Sequence, residues 1–369
     1  MGAFVIIGIL NPLSDGLSLT EAQAGWILTT FAIAYAIGSP LLVALTGQWD
    51  RRRVLLTGLL VFTLATAWSA LSGQISGLLA SRVAVALGAA MITPVTAGII
   101  VAVSPPEKIG KSLAGVFFGL TLAQAIGIPV ASYIGYTYGW SAAFWSVVVL
   151  GVLSIVGVVR VVPAALPFKP NSVRTLVNSL LDWRRFSTIL FVASFLGSIY
   201  VLYTYFTPLL AQSMGYGRDG ISLLLFVFGV GAVFGNMLGG WMADKFGSMK
   251  ALIMICISQV VLLPLYSMLP MPGAALMVLT FVWSVVGWAV AAPQQMRIVK
   301  YSPGSENVAL ALHASSIYIG ISVGALVGGF VVTQWSLNAL GIAATVCMFV
   351  SFAHLLLSER AVNSGKRAI

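Results

Sequence analysis

Four sets of side chains in this sequence have types and spacings that do chemistry. Arg82 stands inside a long apolar run. A charge in that setting costs about 2.5–3.5 kcal/mol even on lenient scales, so it faces a cavity or a partner, pairs with a carbonyl, or snorkels outward. His313 lies in another run and reads as the one histidine well inside the apolar zone; it either carries protons near neutral pH or packs through a hydrogen bond. Two aspartates directly precede cations: Asp50 before Arg51, Arg52 and Arg53, and Asp244 before Lys245. Carboxylate–cation clusters at helix ends latch one conformation and release in another, whereas cations alone only set topology. Tyr35, Gln124, Tyr200, Tyr203, Tyr205, His313, Gln294, Gln295 and Tyr318 add polar and aromatic groups within or at the ends of apolar runs. Such a lining suits a neutral or amphipathic small molecule, with helix packing as the competing role for each tyrosine. Metal-ligand spacings, nucleotide-binding loops and nucleophile–base pairs are missing, and Cys256 and Cys347 sit far apart in separate apolar runs. Enzyme activity, a metal and a bound cofactor are therefore not expected.

The elements that position these groups follow from composition. Of 369 residues, 59% are hydrophobic and 8% are charged, against about 25% charged in a soluble domain. Lipid is the natural solvent for such a chain, and twenty apolar residues or so cross a core of about 30 Å as a helix. Apolar runs of that kind fall at about 24–46, 54–72, 76–103, 112–137, 141–162, 186–211, 219–243, 250–269, 273–296, 307–333 and 338–358. A shorter run from Met1 to about Leu13 reads as the outer part of a first helix whose inner part is missing, since it lacks the basic start and cleavage pattern of a signal peptide. Twelve spans is the expected count.

The charges set sidedness. Seventeen of 19 Lys and Arg fall on one face, in the loops carrying Arg51–Arg53, Lys108 and Lys111, the 160–185 cluster, Lys245 and Lys250, Arg297 and Lys300, and the C-terminal tail. The opposite loops hold Arg218 with Asp15, Glu21 and Asp219. Positive charge marks the cytoplasmic side, so the C-terminus is expected there, and the net charge of +10 points to topology and not to nucleic acid. Trp26, Trp68, Trp140 and Trp335 fall near the other interface, as an aromatic belt does.

The longest hydrophilic stretch, about 163–185, separates a 1–162 half from a 186–369 half. The Asp50 and Asp244 motifs occupy equivalent loops of the two halves, so the chain reads as an internal repeat. In this order the motifs resemble the major facilitator superfamily, in particular its bacterial drug/proton antiporters and sugar efflux permeases. The resemblance rests on Trp49-Asp-Arg-Arg-Arg53, Leu78-Leu-Ala-Ser-Arg82 with Gly88-Ala-Ala, and Pro105-Pro-Glu-Lys108. Gly119 to Gly127-Ile-Pro129, and Gly320, Gly324, Gly328 and Gly329, complete it.

The resemblance implies a twelve-helix fold of two pseudo-symmetric six-helix bundles, with a role in coupling at Arg82 and a gating role for the Asp50 and Asp244 loops. The glycines and proline of span five, Gly119, Gly127 and Pro129, mark antiporters in that family. The expected function is export of a drug, sugar or metabolite across a bacterial inner membrane by alternating access, driven by the proton gradient, with a monomer as the family default. A sugar or nucleoside facilitator or importer, and a non-transporting sensor, are the alternatives. Two departures stand out. Ala3 occupies a position where such permeases commonly carry an acid, and no Asp or Glu falls in the middle of any assigned span. Arg53 stands where the first basic loop usually has glycine.

Overall fold

A computed structural model describes residues 2, 4–103, 119, 122–123, 125–164, 182–302 and 306–366. Among them the regular structure is helical, without strands. The first six passes are α1 (Val5–Leu17), α2 (Glu21–Leu45), α3 (Arg51–Leu71), α4 (Ile75–Val103), α5 (Gly127–Tyr138) and α6 (Trp140–Val161). Span seven is broken into α7 (Trp183–Tyr203) and α8 (Phe206–Met214), and span eight is α9 (Arg218–Phe246). Span nine is α10 (Ser248–Leu262) with a 3-10 turn over Leu263–Met268. Span ten is broken into α11 (Gly273–Trp288) and α12 (Ala291–Tyr301); α13 (Glu306–Gln334) and α14 (Leu340–Lys366) complete the chain. Among the described residues, ten helical segments are long and apolar enough to cross a membrane, with Val5–Leu17 as a shorter apolar helix. The chain has the all-helical architecture of a multi-pass membrane protein.

Lipid supplies no hydrophobic drive between helices, so close backbone approach does the packing. In α13 the small-residue series works against α7: a Cβ at Gly320, Gly324 or Gly328 would meet the carbonyls of Ala193, Gly197 and Val201 respectively. Gly231, Gly235 and Gly239 of α9 lie in the same way against the carbonyls of Phe281, Val285 and Ala289 in span ten. Gly88 of α4 lies against the backbone of Phe62 and Gly58 in α3. Helix ends are set by local chemistry. Asp50 accepts the amide of Arg53 at 3.1 Å to cap α3, and Asp182 accepts those of Arg184 and Arg185 to cap α7.

Several expectations change. Spans seven and ten are not single helices: α7 gives way at Thr204–Tyr205, and α11 at Ala289–Val290. Helices also outrun their apolar stretches, because polar side chains at the ends are satisfied by neighbouring helices. Span ten continues as far as Tyr301 and α14 as far as Lys366, so Arg297 and Glu359 belong to the passes. Arg82, expected inside a span, is therefore joined there by two further charged side chains. Of span five, expected over 112–137, residues 112–118 and Gln124 lie outside the described residues, as do Lys108, Lys111 and most of the 163–185 stretch.

Candidate functional site

Midway through the fold, rings from both halves form a layer. Phe31 and Tyr35 are four residues apart on α2 and therefore share a face. Across the seam α13 presents Tyr318, whose ring centroid is 3.8 Å from that of Tyr35 and 6.0 Å from that of Phe31. Tyr200 of α7 and Phe4, at the start of α1, add a second pair at 6.4 Å. Tyr35 hydrogen-bonds Ser39 and Thr93, and Thr93 is exposed although it belongs to a membrane-spanning helix. Phe31 and Tyr35 are themselves buried, at 1% exposure each.

Arg82 lies behind the layer, toward the opposite face. It is seven residues from the start of α4, about 10 Å along the axis. Its guanidinium stacks 5.1 Å from the Phe31 centroid and 5.7 Å from that of Phe144, and donates to the carbonyl of Gly2. The side chain is 0% exposed, and its Nε and Nη1 have no hydrogen-bond partner. The two aromatic faces and one carbonyl offset part of the cost of burying the charge.

Beyond the layer the two halves are fastened together. Thr207 donates to the carbonyl of Ile7 at 3.0 Å, and Asn11 donates to that of Thr207 at 3.4 Å. Gln212 donates to Glu21 at 3.0 Å; Arg218 donates to Thr137 and stacks 4.6 Å from Tyr133. Tyr205 wedges between Gly25 and Gly329 while its hydroxyl donates to the Ala325 carbonyl at 2.9 Å. Gly229 of α9 lies against the backbone of Ala125. Among the described residues, the side-chain hydrogen bonds between the first six and the last six passes all lie on this side. The halves are thus held together on the face opposite the basic loops.

The basic-loop motifs remain within their own halves. Besides capping α3, Asp50 keeps a second carboxylate oxygen, Oδ2, that is buried and unpartnered. Arg52 donates to the Val159 carbonyl at 2.6 Å, Arg51 is buried, and Arg53 is exposed. Asp244 is exposed in the last turn of α9, two residues before the helix ends, and Lys245 stacks on Trp241 and Phe246. No ion pair joins the two loops among the described residues.

Other candidates fall elsewhere. Gly119 is exposed, and Gly127 opens α5. Pro129 is buried in the first turn of α5, with the helical ladder continuing around it from Ile126 to Leu122 and from Val130 to Ile126. Tyr203 is stacked on Phe228 at 4.2 Å beside Trp283, inside the second half. Gln294 is fully buried and donates to the Thr188 carbonyl at 2.8 Å, tying α12 to α7 and lining no passage. His313 is buried near the basic-face end of α13. It is not the one deep histidine, because His354 of α14 bonds Ser187 and, two turns further in, Ser194.

One cluster escaped the sequence reading. Arg297, 1% exposed, pairs its Nε with Glu359 at 3.1 Å and donates to Ser358, while the Tyr301 hydroxyl donates to Glu359 at 2.7 Å. The available signal was the spacing Gln294, Arg297, Tyr301, a polar stripe along one face of a helix that continues beyond its apolar stretch.

Comparison with known proteins agrees with this architecture. The family model described as Major Facilitator Superfamily matches residues 1–310. An uncharacterized MFS-type transporter of Bacillus subtilis, YbcL, is 28% identical, over 96% of this chain and 91% of its own length. The inner membrane transport protein YdhP of Escherichia coli is 27% identical, over 89% and 85%. Among solved structures, an inward-facing, unoccupied bacterial homologue of the human lysosomal transporter Spinster superposes with a TM-score of 0.73 at 17% identity, covering 99% of this chain and 93% of the other. Its inward-facing, occupied form gives 0.72 at 18% identity, covering 97% and 93%.

Proposed function

The chain belongs to the major facilitator superfamily of membrane transporters, and we propose that it exports a small organic compound from the cytoplasm by alternating access, in exchange for protons. One observation carries the reading: the ring layer of Phe31, Tyr35 and Tyr318 spans the seam between the halves, and the side-chain hydrogen bonds that join the halves among the described residues lie on the face opposite the basic loops. With positive charge on the cytoplasmic side, contacts confined to the other face fit an inward-facing state, which loads from the cytoplasm. Rocking the halves would part Gln212 from Glu21 and Arg218 from Thr137, opening the other side. The Asp50 and Asp244 loops, apart in this state, would meet as the cytoplasmic side closes. Their separation fits a latch that is released when the transporter faces inward.

Proton exchange and outward direction rest on the span-five pattern of Gly119, Gly127 and Pro129. A bacterial inner membrane, a cytoplasmic C-terminus and a working monomer complete the proposal. Everted vesicles test it, because their outer surface is the basic face. Accumulation of a candidate compound that collapses with the pH gradient is the expected result. Equilibration independent of the gradient would replace antiport by facilitation, and no flux across a broad panel would sink transport in favour of a sensor.

A further inference from the structure

Resting on the transport reading, we propose that the substrate is an aromatic organic anion, its planar body taken by the Phe31–Tyr35–Tyr318 layer and its carboxylate by Arg82. Three observations converge. The guanidinium is completely enclosed, yet Nε and Nη1 have no hydrogen-bond partner, so two donors of a fixed planar fork are unused. A buried guanidinium with idle donors is matched best by a planar oxyanion that can accept both. No carboxylate among the described residues pairs with it: the three ion pairs found are Arg185–Asp182, Arg218–Asp219 and Arg297–Glu359. The site's charge is therefore positive.

The second observation is adjacency. Phe31 touches Arg82 on one side and Tyr318 on the other, so the charge and the rings form one continuous buried cluster at the seam. A ligand that entered the seam between α2 and α13 would meet these rings with Arg82 directly behind Phe31. Parting of α2 from α13, the movement that opens the opposite face, would bring the guanidinium into reach. The strongest contact would then form as the carrier turns outward, which is when an exporter needs it. Third, the loading face is itself basic: leaving aside the Arg297–Glu359 pair inside the passes, it carries 16 of the 19 Lys and Arg against five of the nine acids. Such a face concentrates anions at its mouth and repels cations.

The test compares three ligands with one ring system: 2-naphthoate, 2-naphthamide and 2-naphthylmethylammonium. Binding to the purified full-length protein is read as saturable thermal stabilisation, and flux is read in everted vesicles. Naphthoate should bind at least about tenfold more tightly than the amide, with no saturable shift from the ammonium ion. Arg82→Gln should bring acid and amide to within about twofold, while Arg82→Lys keeps the acid ahead. The wild-type ranking alone decides the case if Arg82→Gln does not fold. Equal or better binding of the amide or the cation, binding of none of the three, or a preference for the acid that survives Arg82→Gln, each overturns the proposal. Acetate stabilising as well as naphthoate would overturn the role of the rings. Naphthoate that binds through Arg82 without flux would leave this inference standing and remove transport, whereas flux of the amide or cation alone would do the reverse.

Discussion

The basic-face ends of the two halves are built from different materials. In the first half, Val54, Leu55 and Leu59 of α3 meet Met91, Val95 and Ile99 of α4, with Ile155 and Val158 of α6 packed against them. These are the third, fourth and sixth passes. In the second half the fourth and sixth passes meet through Arg297, Glu359, Tyr301 and Ser358, and His354 ties the sixth pass to Ser187 and Ser194 of the first. Apolar packing is tolerant of small slides, whereas a buried ion pair holds one geometry. The second half is therefore the stiffer partner at this face. The comparison teaches that a repeat in topology need not be a repeat in mechanics.

The largest expected effect breaks that stiffness. Arg297→Met leaves Glu359 facing an apolar neighbour, and Glu359→Leu leaves a buried guanidinium uncompensated. Each single change should cost about 3 kcal/mol, read as a large fall in the melting midpoint of the detergent-solubilised protein. The double variant, with both charges replaced, should recover most of the loss. If it melts no higher than the singles, the pair does more than neutralise itself.

The repeated loops differ in a second way. Asp50 lies outside α2 and caps the next helix, whereas Asp244 sits inside the last turn of α9. Gly247 explains why α9 runs further. Its φ of 81° and ψ of 156° permit an abrupt junction into α10, in a region essentially closed to other residues. Arg53, at the matching position, cannot do this, so the chain turns earlier and α3 starts at Arg51 behind its aspartate cap. Gly247→Ala should cost about 1–3 kcal/mol, from backbone strain alone, because open space surrounds the position. Arg53→Gly should change stability by no more than about 1 kcal/mol, the usual price of glycine in a helix. Equal effects of the two changes would refute this account of the loops.

The fold was legible because hydropathy and loop charge report directly on the bilayer, and ten of the apolar runs are helices long enough to cross it among the described residues. The departure at Arg53 was visible as a missing glycine, and its consequence, an earlier helix start, follows from backbone sterics. The site was legible only in part. Tyr35 and Tyr318 are mid-span rings, and so is Tyr203, which turns into the second half to stack on Phe228. Which face a helix shows its neighbours is not encoded when most faces are apolar. Arg297 and Glu359 were missed for a related reason: an apolar window ends at the first charge, whereas a helix continues wherever a charge finds a partner.

The smallest effect bears on whether the first-half loop gates at all. Asp50 uses one oxygen to cap α3 and leaves Oδ2 buried without a partner. Capping needs only an acceptor, and asparagine supplies one as well as aspartate. Asp50→Asn should therefore change the melting midpoint by no more than the equivalent of a few tenths of a kcal/mol, while Asp50→Ala should cost about 1 kcal/mol. A latch needs the charge, because its partner across the basic face would be a cation. Asp50→Asn should consequently slow flux in everted vesicles while the protein melts as the wild type does. If Asp50→Asn transports at the wild-type rate and only Asp50→Ala is impaired, the aspartate is a helix cap, the idle oxygen has no task in the cycle, and gating at this face falls to the stiffer second half.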